Sequence, residues 1–198
     1  RYRSIDRDML RANAGPGLKV NTSPLYRLPQ MTVYIGPGSA PAIGAAYGFL
    51  EEFKRQSAAR VRRNDGTNLG QDRIVEMRVA EGGAKLRAME NTLLTAYREM
   101  YEIVCSGRDL TPEEGAIFTY DLSRAAQNVT DVAYDLMPLL QAGVVYQSNP
   151  LQRYYRDLLT MRQHGTQDIT LTMSGAAAAE YGRPIMGCLL YTSPSPRD

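Results

Sequence analysis

Residues 111–139 leave little freedom in how they fold. Thr111-Pro112-Glu113-Glu114 is a capping box: Thr as the cap, Pro at the first helical position, Glu reaching back from the third. Leu122, Ala125, Val129, Val132, Leu136 and Leu139 then recur at alternating steps of three and four. Such a stripe is stable only against other helices. Pro138 lies inside the pattern and predicts a kink or an end near Met137.

The partners for that stripe are found on both sides. A first helix is expected over roughly residues 33–62, where Ile43, Tyr47, Leu50 and Lys54 follow helical spacing. Gly36-Pro37-Gly38 weakens its first turn, so the regular part is expected nearer Ser39. Gly44, Ala45, Ala46 and Gly48 give that helix a narrow surface, open to close approach by a helix or a ligand. A polar loop with Asn64-Asp65-Gly66 as its turn follows. A second helix is expected over residues 72–105, with Ile74, Met77, Ala84, Ala88, Leu93, Ala96, Met100 and Val104 as its apolar stripe. Gly82-Gly83 predicts a bend or a close contact there, and Gly107 a helix end. Asn149 as cap and Pro150 at the first position open a fourth helix, with Leu151, Tyr154, Tyr155 and Leu158 on one face. A weaker helical segment spans residues 168–181. Three long helices, a shorter fourth and short connections predict an all-α fold, an antiparallel four-helix bundle over residues 32–187. Residues 1–31 read as the end of a preceding β domain and a connector, with a short alternating strand at Arg1–Asp6.

Composition excludes several classes of function. The last eleven residues, Cys188–Asp198, back-translate cleanly to a transposase-type sequencing adapter read in frame, and are set aside as non-native. The rest then reads as a piece of a longer chain. Setting the tail aside removes one Arg and one Asp and leaves the net charge at +2, which argues against nucleic acid or an anionic membrane surface as partner. Only Cys105 remains as a thiol, which fits a reducing cytoplasm and no disulfide. With one histidine, His164, no nitrogen–sulfur metal site is expected. No apolar run is long enough to span a bilayer. Read alone, a lone histidine is more often a surface or packing residue than a functional one.

The order and spacing of several motifs resemble one family. Gly44-Ala45-Ala46-Tyr47-Gly48-Phe49-Leu50-Glu51 followed by Arg60 resembles the first C-terminal-domain helix of acyl-CoA dehydrogenases, and PLQRYYRD at residues 150–157 resembles the last. Pro-Leu-Gln-Arg ahead, a histidine behind and PLYRLP at residues 24–29 are closer to one branch, the acyl-CoA dehydrogenase-like flavin-dependent monooxygenases. These are oxygenase components of two-component systems. The resemblance implies reduced FMN or FAD, a separate flavin reductase, oxygen, an aromatic or polyketide-like substrate, and a homotetramer built as a dimer of dimers. Many dehydrogenases carry a glutamate base before Gly-Thr at this position; here the residues are His164-Gly165-Thr166.

The resemblance also suggests roles for particular residues. His164 is the candidate catalytic group, beside a flavin that forms a C4a-hydroperoxide. An imidazole there could hydrogen-bond the peroxide or take a phenolic proton, and its ordinary pKa suits acid–base work. Arg60 is the candidate phosphate clamp, acting across a subunit boundary, with Arg62 and Arg63 as competitors. Gln141, Ala142, Gly143 and Val144 form the turn whose counterpart presses backbone amides on the flavin; on its residues alone the same turn is a simple helix end. Arg156 and Asp157 are expected to form a structural ion pair joining helices, and Tyr154 and Tyr155 to pack. Two other readings stay open: an acyl-CoA dehydrogenase, and a non-catalytic helical assembly domain.

Overall fold

The computed structural model describes residues 15–185. The strand expected at Arg1–Asp6 and the tail Cys188–Asp198 lie outside the described residues. Among the described residues there are five α-helices: α1 Gln30–Ala58, α2 Arg73–Cys105, α3 Pro112–Leu136, α4 Pro150–Arg162 and α5 Ile169–Glu180. Two short 3-10 turns, Pro16–Lys19 and Pro24–Arg27, occupy the connector ahead of α1. None of the described helices is long and apolar enough to cross a membrane.

The first four helices alternate in direction. Val33 near the start of α1 meets Tyr97 late in α2, and Tyr47, farther along α1, meets Glu90, earlier in α2. Lys85 of α2 meets Asp135 at the end of α3, and Thr130 of α3 meets the Leu158 carbonyl of α4. This is the antiparallel four-helix bundle the periodicity predicts, with α5 added against α3.

Helix α3 is the centre and packs against each of the other four. Its stripe is buried as expected: Leu122, Ala125, Val129, Val132 and Leu136 are at most 1% exposed. The capping box forms, with Glu114 N–H donating to Thr111 Oγ1 (3.2 Å) and Thr111 N–H to the Glu114 carboxylate (2.9 Å). The Arg108 guanidinium and that backbone amide hold the Glu114 carboxyl down at about 2. Across the bundle, α1 contributes Ile35, Phe49 and Phe53, each fully buried. Each is worth about 1.5–3 kcal/mol of burial.

Several local expectations are corrected. Helix α1 begins at Gln30, ahead of residue 33 or Ser39, and runs unbroken past Pro37 and Pro41 to Ala58. A proline in a helix leaves the carbonyl four residues back without its amide. For Pro37 that carbonyl is Val33, and Tyr97 Oη donates to it at 2.9 Å. Gly36 admits the tyrosine, since a Cβ there would lie 1.5 Å from Tyr97 Oη. The glycine run that looked like a weakness is therefore a contact surface. Gly82-Gly83 does not interrupt α2; a Cβ on Gly82 would lie 2.9 Å from Val132 Cγ1, so the close-contact alternative holds. The first half of the α2 stripe is misphased: Ile74 and Met77 are 62% and 63% exposed and Val75 and Leu86 face the core instead, whereas Ala96, Met100 and Val104 of the second half are buried as expected. Asp157 lies 3.9 Å from Arg153 on its own helix and does not pair with Arg156; the ion pair joining helices here is Arg162–Asp131 at 2.7 Å. Gly48 gives close approach as expected, to Tyr154 of α4.

Candidate functional site

Helix α4 and its exit carry the first cluster. Asn149 caps α4 by accepting from Leu151 N–H at 3.0 Å. Buried Leu151 and Leu158 seat it on the core. The chain leaves α4 at Gln163, and His164 caps the following 3-10 turn, Gly165–Gln167. His164 is exposed, and with Tyr34, Pro37, Gly38, Pro41, Thr160, Met161 and Thr166 it lines a cavity of about 360 Å³. Thr166 meets its ring twice: Oγ1 at 2.8 Å and the backbone N–H at 3.3 Å, both on Nδ1. Among the described residues, no carboxylate lines this cavity.

The turn is fastened to α1 by Gln167, which is fully buried. Its Nε2 donates to the Ile35 carbonyl at 3.1 Å, and its Oε1 lies 3.0 Å from Ser39 Oγ. Gln127 Nε2 donates to the Gln167 backbone carbonyl at 3.2 Å. Gly38 makes the room, because a Cβ there would lie 2.6 Å from Gln167 Nε2. The sequence reading missed Gly38, Tyr34, Thr166 and Gln167. Two glycines around a proline inside a helical pattern were the available signal, since they mark a close approach.

The second cluster is at the other end of α1. Arg60 Nη2 donates to Gln141 Oε1 at 3.4 Å, and a Cβ on Gly143 would lie 2.8 Å from Arg60 Nη1. The structure thus brings Arg60 together with the Gln141–Val144 turn, residues 81 or more apart in sequence. Gln141 sits at φ 55°, ψ −156°, a conformation rare outside glycine that costs about 1–3 kcal/mol. Pro138 sets up this kink: α3 ends at Leu136 and a tight 3-10 segment runs to Val144. The turn is then anchored from α4, Asn149 Nδ2 donating to the Gly143 carbonyl (3.1 Å) and Gln152 Nε2 to the Val144 carbonyl (2.7 Å). Ala142 is exposed, whereas the Val144 side chain is buried in the core.

A polar groove of about 740 Å³ lies beside this turn, lined by Arg55, Arg60, Arg63, Asn64 and Gln141 among others. Of the competing arginines, Arg62 is engaged with Asp72 at 2.8 Å, while Arg63 stays at the groove. Guanidinium groups beside a turn with room only for glycine fit a phosphate group chemically.

The two clusters are far apart within one chain. Gly38 belongs to the first, and Arg55 and Gln56 to the second. At the rise of an α-helix, the stretch of α1 between them spans about 25–30 Å.

Comparison with known proteins agrees with this architecture. Residues 38–168 match the family described as acyl-CoA dehydrogenase, C-terminal domain. The chain is 28% identical over 171 residues to the flavin-dependent monooxygenase oxygenase subunit HsaA of Rhodococcus jostii, covering 86% of this chain and 45% of that protein. It is 23% identical over 188 residues to a pigment production hydroxylase of Rhodococcus erythropolis, covering 95% and 48%. Among solved structures, the 3-HSA hydroxylase of Rhodococcus sp. RHA1 superposes with a TM-score of 0.81 at 25% identity, covering 92% of this chain and 47% of that one. XiaF from Streptomyces sp., solved with FADH2 and glycerol, shares the fold at a TM-score of 0.78 and 19% identity, covering 93% and 45%. The chain spans about half the length of the curated relatives it matches.

Proposed function

The chain belongs to the acyl-CoA dehydrogenase C-terminal-domain family, and from that premise we propose that it is the helical part of a reduced-flavin-dependent monooxygenase acting on an aromatic substrate. The observation that carries this reading is the cavity at the end of α4, where His164 stands and, among the described residues, no carboxylate lines the wall. Many dehydrogenases place at this position the carboxylate base that removes a proton α to a thioester, while other branches carry it on an earlier helix. An imidazole suits the binding and proton handling of a phenolic oxygen instead.

Reduced FMN or FAD, when bound, supplies the oxygen-activating chemistry, and a separate reductase would deliver it. The protein's own part is to place His164 toward the substrate and to keep water from the cavity. Arg60, with the Gln141–Val144 turn, would hold a flavin phosphate. Because about 25–30 Å of α1 separates the two clusters, Arg60 of one subunit would serve a flavin beside another subunit's cavity. A homotetramer would bring them together. Outward-facing apolar side chains such as Ile74, Met77 and Leu171 suit burial in such an assembly.

The test replaces His164 with Ala or Asn in the full-length enzyme, mixes the reduced flavin complex with oxygen in a stopped-flow instrument, and assays product and peroxide together. Hydroxylation should fall by roughly 10²–10⁴-fold while oxygen is still consumed and released as peroxide. Unchanged coupling of oxygen use to product in both variants would defeat the reading. Turnover of an acyl-CoA with an artificial electron acceptor would move it to the dehydrogenases.

A further inference from the structure

His164 is held by its neighbours in one tautomer, and this decides which role its ring can play. Two donors converge on Nδ1. The Thr166 backbone N–H, 3.3 Å away, can only donate, so the nitrogen facing it must offer a lone pair. Thr166 Oγ1, 2.8 Å from the same nitrogen, can donate or accept. On its other side Thr166 Oγ1 accepts from Gln167 Nε2 at 3.4 Å, and the same amide donates to the Ile35 carbonyl at 3.1 Å. A carbonyl accepts only, so the amide nitrogen, not the oxygen, must face Ile35. Because Nδ1 accepts from the backbone amide it has no proton to give, so the Thr166 hydroxyl, while receiving from Gln167, donates its own proton to His164. No hydrogen bond of Nε2 occurs among the described residues.

We propose that Thr166 is a positioning residue that keeps neutral His164 protonated on Nε2, so the ring presents an N–H donor to the cavity. The unprotonated nitrogen is occupied by Thr166. His164 then acts from Nε2, donating a hydrogen bond or its proton to a substrate or oxygen-derived oxyanion, which narrows the proton handling proposed above to the donor direction. Gln167, fixed through Gly38 and Ile35 to α1, holds Thr166 at the required spot. The role assigned to the donor rests on the monooxygenase reading; the tautomer itself does not.

The chain contains one histidine, so its ring nitrogens can be read without assignment. The experiment is ¹⁵N-histidine NMR of this chain at a pH where the ring is neutral. In the unaltered protein Nδ1 should resonate as a pyridine-type nitrogen and Nε2 as a pyrrole-type nitrogen, with no averaging between them. Thr166→Val keeps the backbone N–H but loses the hydroxyl, so it should move both part of the way toward the averaged values of free imidazole, and Thr166→Ser should restore them; no change in Thr166→Val would overturn the role of the side chain. A protonated Nδ1, or averaged signals in the unaltered chain, overturns the proposal even if no variant folds. In full-length enzyme, Thr166→Val should lower product per oxygen consumed by up to about tenfold, the worth of one hydrogen bond, with Thr166→Ser close to normal. Equal coupling in Thr166→Val and the parent, with the tautomer as stated, removes the catalytic use of the donor. Normal coupling after His164→Ala would instead sink the monooxygenase reading and leave the tautomer standing.

Discussion

Asp121 of α3 is set against its own charge. No hydrogen bond or ion pair to it occurs among the described residues, and burial pushes its carboxyl up from the ordinary range. Arg124 works against that shift and Glu99 reinforces it. A carboxyl whose folded pKa is raised costs stability wherever it is ionised. The cost is present at neutral pH and disappears once pH falls below the unfolded value, about 3.9. Asp121→Asn should therefore stabilise the chain at pH 7 by roughly 0.5 kcal/mol, a rise of about 1–2 °C in Tm. The gain should vanish in thermal melts near pH 3. An equal gain at both pH values would point to a packing effect. His164 shows the complementary lesson. Its residue type was visible in the sequence, but the orientation of its ring depends on Thr166 and Gln167, whose part only the folded turn reveals.

At the scale of the element, α1 shows why one residue type can carry opposite meanings. Gly36 and Gly44 lie in the same helix, yet a Cβ on Gly36 would lie 1.5 Å from Tyr97 Oη, and one on Gly44 would meet open space. Gly44→Ala should be neutral or stabilising by up to about 1 kcal/mol, the helix-propensity difference. Gly36→Ala should cost about 2–4 kcal/mol, because it expels the tyrosine and strips the Val33 carbonyl of its donor. Tyr97→Phe removes that donor alone, so the double variant should cost less than the two singles together. Denaturant melts of the four proteins give the answer; strict additivity would mean that the two residues do not share one contact. Propensity alone condemns Gly36-Pro37-Gly38 as a helix start. The helix forms there because tertiary partners, Tyr97 for one carbonyl and Gln167 beside Gly38, compensate for what proline and glycine remove. Helices without such exceptions were readable at their full length: α2 and α3 begin and end within a residue or two of the expectation.

At the scale of the molecule, the bundle was legible, because it follows from helical periodicity and short connections; the contact between Arg60 and Gln141 was not, since nothing in the sequence sets those two stretches side by side. Nor was the face of α2. In its first half Ile74 and Met77 repeat at helical spacing on the side away from the core, and only the neighbouring helices show which side that is. The most consequential feature at this scale is the length of α1 between Gly38 and Arg55, about 25 Å. If each flavin is served by His164 from one copy and Arg60 from another, then damage at the two positions need not add up in a mixed population. A full-length Arg60→Ala enzyme and a full-length His164→Ala enzyme should each be nearly inert. Co-expressed, they form hybrids in which one shared site carries both lesions and the other carries neither. Random pairing should return about a quarter of the normal number of intact sites. Recovery of that size marks trans complementation between subunits; no recovery in verified hybrids would mean that each chain keeps both groups for a site of its own.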